Sequence, residues 1–180
     1  MSAERRPGLV RRLDRSGIPL LLARLGVGGM FAYLAVMKIR DPIEFLKQIR
    51  EYGILPTEPP IFLNLTAVAL PYLELLCAAF LLIGLWRRGA ALVLSGMLAF
   101  FTPMLLWRAL GIYAAGGVAS FCDIKFDCGC GTGEVYICGK LAENLALQVG
   151  ALIALLSASH RFCLSALFGR RSTAANPPRT

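Results

Sequence analysis

Residues 61–107 read IFLNLTAVALPYLELLCAAFLLIGLWRRGAALVLSGMLAFFTPMLLW. Two apolar runs, 61–85 and 89–107, are separated only by Trp86, Arg87 and Arg88. At 1.5 Å of rise per residue each run is long enough to cross a hydrocarbon core of about 30 Å. A connection that short and that basic makes them an antiparallel hairpin of membrane-spanning helices. Pro71 and Pro103 fall inside the runs, where neighbouring helices can satisfy the backbone groups that proline frees. The one acidic residue in the stretch, Glu74, is costly in hydrocarbon and therefore needs a partner.

Outward from this hairpin, an earlier apolar run covers 18–37 with a single charge, Arg24, and a later one covers about 141–159, opening with Glu143 and Asn144. Four spans place both termini on one side of the membrane. The predicted fold class is all-α, an integral membrane four-helix bundle. It comprises a basic N-terminus (1–17), a four-span domain (18–160) and a basic tail (161–180) that lacks an apolar face and is expected to be disordered. The first run is longer than a signal peptide core and lacks a small-residue cleavage site, so it is read as an uncleaved anchor.

Composition agrees with this reading. Apolar residues make up 57% of the 180 and charged ones 17%, with a mean hydropathy of +0.63, whereas a soluble domain has about 25% charged residues. A soluble or disordered chain is excluded. The formal charge of +8 would suggest nucleic acid in a soluble protein. Here the basic residues flank apolar blocks, where membrane insertion places them, so no nucleic-acid partner is called for. Eleven Lys and Arg fall on the side of the termini and the 86–88 turn, against seven in the two longer loops. The positive-inside rule then puts both termini in the cytoplasm and both long loops outside.

In the first long loop, Ile43, Phe45, Leu46, Ile49 and Tyr52 alternate with charged and polar residues at helical spacing before Gly53 and Pro56. This predicts a short helix, either interfacial or packed on the bundle. Within the membrane, Arg24 lies about 9 Å from the cytoplasmic surface and Glu74 about 10 Å. Their matching depths predict an ion pair locking span one to span two. Gly26, Gly28 and Gly29 would permit close helix approach at that seam.

The second long loop holds Cys122, Cys128, Cys130 and Cys138 within seventeen residues. Cys128-Gly129-Cys130 can close a very small ring if the glycines permit a turn, and a strained bond of that kind is easily reduced. Cys122 and Cys138 can then pair across the loop, and electrons can pass between the pairs by exchange. Static structural disulfides are a second reading, natural in an oxidising compartment. A metal site is a third, although the spacing C-x5-C-x-C-x7-C lacks the paired C-x2-C knuckles of structural zinc sites. Cys77 is read as a packing residue, Cys163 as a reduced cytoplasmic thiol and His160 as interfacial.

Several motifs carry a resemblance: ARLGVG (23–28) with KIRDP (38–42), YGILP (52–56), LPYLEL (70–75) and DCGCG (127–131). Together they make the chain similar to the DoxX superfamily of small four-helix membrane proteins and, within it, to the methylamine-utilisation MauE branch. The resemblance covers about residues 18–160. It implies a redox-associated protein of the bacterial inner membrane, accessory to maturation of a disulfide-rich periplasmic dehydrogenase subunit. Cys128 and Cys130 match the family's Cys-Gly-Cys pair. Cys122 and Cys138 lie outside its pattern, and Gly131-Thr132-Gly133 stands where the branch often has Phe-Gly.

The leading functional expectation is a thiol–disulfide redox protein, or an accessory to one. Cys128 and Cys130 exchange with a periplasmic thiol/disulfide partner, and Cys122 and Cys138 relay electrons onward, with quinone a candidate acceptor. A structural or assembly subunit with static loop disulfides is an alternative, as is a quinone-linked sulfur-compound oxidoreductase subunit.

Overall fold

The computed structural model describes residues 16–53, 55–56, 58–116, 119–129 and 133–157. The expected basic N-terminal segment up to 15, the tail from 158 on (His160 and Cys163 included) and Cys130 lie outside these residues. Among the described residues, four helices are long and apolar enough to cross a membrane: α1 (Ile18–Arg40), α3 (Ile61–Ile83), α4 (Arg87–Ala114) and α5 (Ile137–Leu156). A shorter helix, α2 (Pro42–Tyr52), follows α1 directly. Between α4 and α5 lie a 3-10 turn (Phe121–Asp123) and a two-stranded hairpin, β1 (Lys125–Asp127) and β2 (Glu134–Tyr136).

The long helices alternate in direction, and each packs on two neighbours in the ring α1–α3–α4–α5. Each buries a stripe at three- and four-residue spacing. On α1 the stripe is Leu20, Arg24, Val27, Phe31, Leu34 and Lys38; on α3 it is Leu63, Ala67, Pro71, Glu74, Ala78 and Leu81. Their outward faces stay apolar, with Leu22, Leu65, Leu76, Leu92 and Leu145 all largely exposed. This is the pattern of helices whose outer solvent is lipid.

The helices differ from the sequence expectations at their ends. α1 runs three residues beyond Met37, α4 runs seven beyond Trp107, and α5 begins four before Leu141. The apolar-run criterion stops at the first charge. A helix continues past it when the charged side chain finds a partner, as Lys38 does with buried Glu74 and Lys140 with partly buried Glu143. Residues 110–114 therefore prolong α4.

Of the three glycines expected at the α1–α3 seam, Gly28 alone is in close contact. A Cβ there would meet Leu82 Cγ at 2.7 Å and the Ala78 carbonyl at 3.3 Å, while Gly26 and Gly29 have nothing within 4 Å. Gly150 does the same on α5, where a Cβ would sit 2.7 Å from Val27 Cγ2. Gly28→Val is expected to destabilise the bundle by about 1–3 kcal/mol through overpacking. Gly29→Val should leave thermal unfolding in detergent almost unchanged, so the two midpoints compared side by side test the seam.

Candidate functional site

The charged groups buried in the bundle are arranged differently from the sequence expectation. Glu74 does not pair with Arg24. Its carboxylate accepts from Lys38 Nζ through both oxygens, at 2.8 and 2.7 Å, with both side chains less than a tenth exposed. The reason is directional. Side chains on a helix lean toward its N-terminus, so in an antiparallel pair Lys38 leans down α1 while Glu74 leans up α3, and the two converge. Arg24 sits nearer the far end of α3. There its Nε donates to the Leu81 carbonyl at 2.8 Å and a terminal nitrogen donates to Leu82 at 2.6 Å.

Those carbonyls are among the last four of α3, which have no partner within their own helix. Arg87 does the same for α5, donating to the carbonyls of Ala154 (3.0 Å) and Ser157 (2.9 Å). Both guanidiniums are at most 4% exposed. Helix ends that would otherwise present bare carbonyls to a low-dielectric region are closed by cations, which the helix dipole also favours.

At the opposite end of the bundle lie the described parts of the cysteine loop, residues 119–129 and 133–136. β1 and β2 pair antiparallel, Phe126 opposite Val135. Ile124, Phe126 and Cys128 form a small core with Leu105, Ala109 and Ile137, against which Cys138 packs. Cys122 and Cys138 are joined in a disulfide. Since Cys138 is the second residue of α5, the bond ties the start of the hairpin to a long helix. Being joined, these two sulfurs are not the thiolates that a four-sulfur metal site requires. Lys125 lies across the hairpin from Tyr136, 4.4 Å from its ring centre, and its hydrogen bond to the phenol pushes its pKa up.

Cys128 follows β1 and is 8% exposed. The Asp127 carboxylate accepts the Gly129 N–H at 3.0 Å, and Gly129 adopts φ +76. A left-handed residue of this kind favours glycine; the expected closure onto Cys130 lies outside the described residues. The loop is held against α2: Tyr52 Oη donates to the Cys128 carbonyl at 3.1 Å. Arg108 reaches Glu51 at 2.6 Å and lies over the rings of Tyr52 and Phe126.

Helix α2 is the one expected from the Ile43–Tyr52 periodicity, capped by the Asp41 side chain, which accepts from Glu44 N, and closed by Gly53. Its inward residues are Phe45, Gln48, Ile49 and Tyr52, while Ile43 is 67% exposed. Behind α2 and the cysteine turn lies a cavity of about 210 Å³. Its wall combines Cys128 and Gly129 with Gln48 and Tyr52 of α2, the Lys38 and Glu74 pair, and aromatic and aliphatic residues of α1, α3 and α4. Lys140 and Asn144 of α5 complete it.

The sequence singles out Cys128 and Glu74, which both line the cavity, but gives Glu74 the wrong partner and passes over Lys38, Gln48 and Lys140. The signal for Lys38 was available, because Arg24, Phe31 and Lys38 repeat every seven residues along one face. Gln48 had no comparable signal, since it falls in an ordinary polar position of an amphipathic helix.

Removing one member of the buried pair strands the other charge. Lys38→Met is expected to cost about 3–5 kcal/mol, while Lys38→Met combined with Glu74→Leu recovers most of the loss. A double-mutant cycle on unfolding in detergent measures the coupling directly.

No curated protein and no solved structure matches the chain. The family model described as methylamine utilisation protein MauE matches residues 16–157, which spans all four long helices and the cysteine loop. The chain belongs to the MauE family of membrane proteins.

Proposed function

We propose that this protein supports methylamine utilisation as a thiol–disulfide exchange factor, acting through Cys128 and Cys130 on an extracytoplasmic partner. That partner is a disulfide-rich dehydrogenase subunit during its maturation. The observation that carries the reading is the placement of Cys128, which lies against the same small core as the Cys122–Cys138 disulfide and lines a cavity into the bundle. Sulfur atoms gathered in one clamped hairpin favour intramolecular exchange, because the loop holds them at high effective concentration.

In this reading, the Cys128/Cys130 disulfide is attacked by a substrate thiolate, forms a mixed disulfide and leaves as a dithiol when the substrate's second thiol resolves it. Cys122 and Cys138 serve as the second station. The orientation with the loop outside is supported by charge. When Lys38, Lys140 and Arg87, buried within the helices, are set aside, ten basic residues remain on the terminal side against five in the loops. The protein is accordingly assigned to the bacterial inner membrane, with α2 at the outer membrane surface.

Replacing both Cys128 and Cys130 by Ser should abolish maturation of the dehydrogenase subunit while the protein still accumulates in the membrane. One of the single Ser variants should trap a mixed disulfide with the partner, visible as a reducible band on a non-reducing gel. Full maturation in the double variant would show that the loop disulfides only shape a docking surface.

A further inference from the structure

The 210 Å³ cavity behind the cysteine turn has no necessary part in exchange with a protein partner, yet its construction is specific. We propose that it binds the head ring of a lipid-soluble para-quinone, which is reduced to the quinol as it reoxidises the Cys128/Cys130 thiol pair. The inference rests on the reading of Cys128 and Cys130 as redox-active and names their electron acceptor.

Size is the first argument. An apolar cavity of about 150 Å³ accepts benzene, so one of about 210 Å³ accommodates a substituted six-membered ring. Contact is the second. Cys128 and Gly129 form part of the wall, so a ring bound there lies against the residue whose sulfur must give up electrons. Access is the third. Phe100 and Phe101 line the cavity and are 53% and 39% exposed on the flank of α4, the side that faces hydrocarbon in a bilayer.

Polarity then selects the ring. Gln48 is 4% exposed, and its Oε1 is buried with no hydrogen-bond partner. It lies beside the cysteine turn, 3.4 Å from the position a Cβ on Gly129 would take. An unsatisfied buried acceptor of this kind is destabilising unless a ligand supplies a donor. A quinol hydroxyl supplies one. The same carboxamide offers Nε2 as a donor to the carbonyl of the oxidised ring, so one side chain serves both redox forms. The Lys38 and Glu74 pair, also in the wall, adds a charged site for a second ring oxygen. A lipid acyl chain satisfies none of these groups.

The chemistry balances without another reactant. In the reduced pair two S–H bonds break and one S–S bond forms, releasing two electrons and two protons. The quinone takes up both of each, forming two O–H bonds to become the quinol. Exchange with the partner returns the pair to the dithiol and repeats the cycle.

The full-length protein, reduced, desalted and held anaerobically in detergent, is mixed in parallel with decylubiquinone and with oxidised glutathione. The proposal expects one quinol formed per Cys128/Cys130 pair oxidised. It also expects saturable decylubiquinone binding that survives Cys128→Ser with Cys130→Ser. Gln48→Leu should weaken that binding about 10-fold, the loss of one hydrogen bond in a buried site. Leu70→Trp, which fills the cavity from α3, should weaken it at least as much. If glutathione oxidises the pair but decylubiquinone neither binds nor accepts electrons, the quinone site is refuted and the exchange reading stands. If neither oxidant acts, both fall. Quinone binding unchanged by Gln48→Leu and Leu70→Trp, or a cavity filled by co-purified phospholipid that the quinone does not displace, also overturns the assignment.

Discussion

A carboxylate in the middle of an apolar helix has to meet a cation or lose its charge, and in this protein Glu74 meets Lys38. That single ion pair fixes much else. It sets the register of α1 against α3, because the two leaning side chains converge at only one relative height of two antiparallel helices. It draws α1 past the apolar run to Arg40, so that α2 begins immediately afterwards and folds back over the bundle. Glycine at position 28 lets the same two helices close to contact, and Arg24 closes the carbonyl end of α3. A buried ion pair is weak evidence for stability as such. Its value here is specificity of register, together with a charged group left in the wall of an otherwise apolar cavity.

The cysteine loop depends on that frame. Its disulfide is anchored in the first turn of α5 and its turn is bonded to α2 through Tyr52. The loop is therefore held from two sides by elements whose positions the bundle determines. The consequence is that the end of β1 presents Cys128 to the cavity in a fixed position. A hairpin with its own small core gives Cys128 a defined local geometry.

Much of this was legible in the sequence. The number and order of the spans, the hairpin at Trp86 to Arg88, the amphipathic helix ending at Gly53 and the left-handed backbone at Gly129 each follow from a local rule: apolar length, helical periodicity or glycine conformation. The partner of Glu74 was not legible by depth alone. Depth measured from helix ends ignores the lean of side chains, and an apolar run that stops at the first charge leaves Lys38 in the loop, whereas the helix continues to Arg40. Arg87 was read as a topological signal, whereas its guanidinium also caps α5. Gln48 was invisible because its meaning lies in an absent partner, which only the three-dimensional arrangement reveals.

In the function proposed here, electrons pass from a maturing protein thiol through the loop cysteines to a ring bound in the cavity, and so to the bilayer. The central claim is that the loop cysteines cycle. Differential thiol alkylation in intact cells, read by mass spectrometry at each cysteine with the electron acceptor supplied or withheld, tests it most directly. The account predicts that Cys128 and Cys130 move from disulfide to thiol when the acceptor is withheld and return when it is restored. Four loop cysteines that stay fully oxidised under both conditions would contradict it.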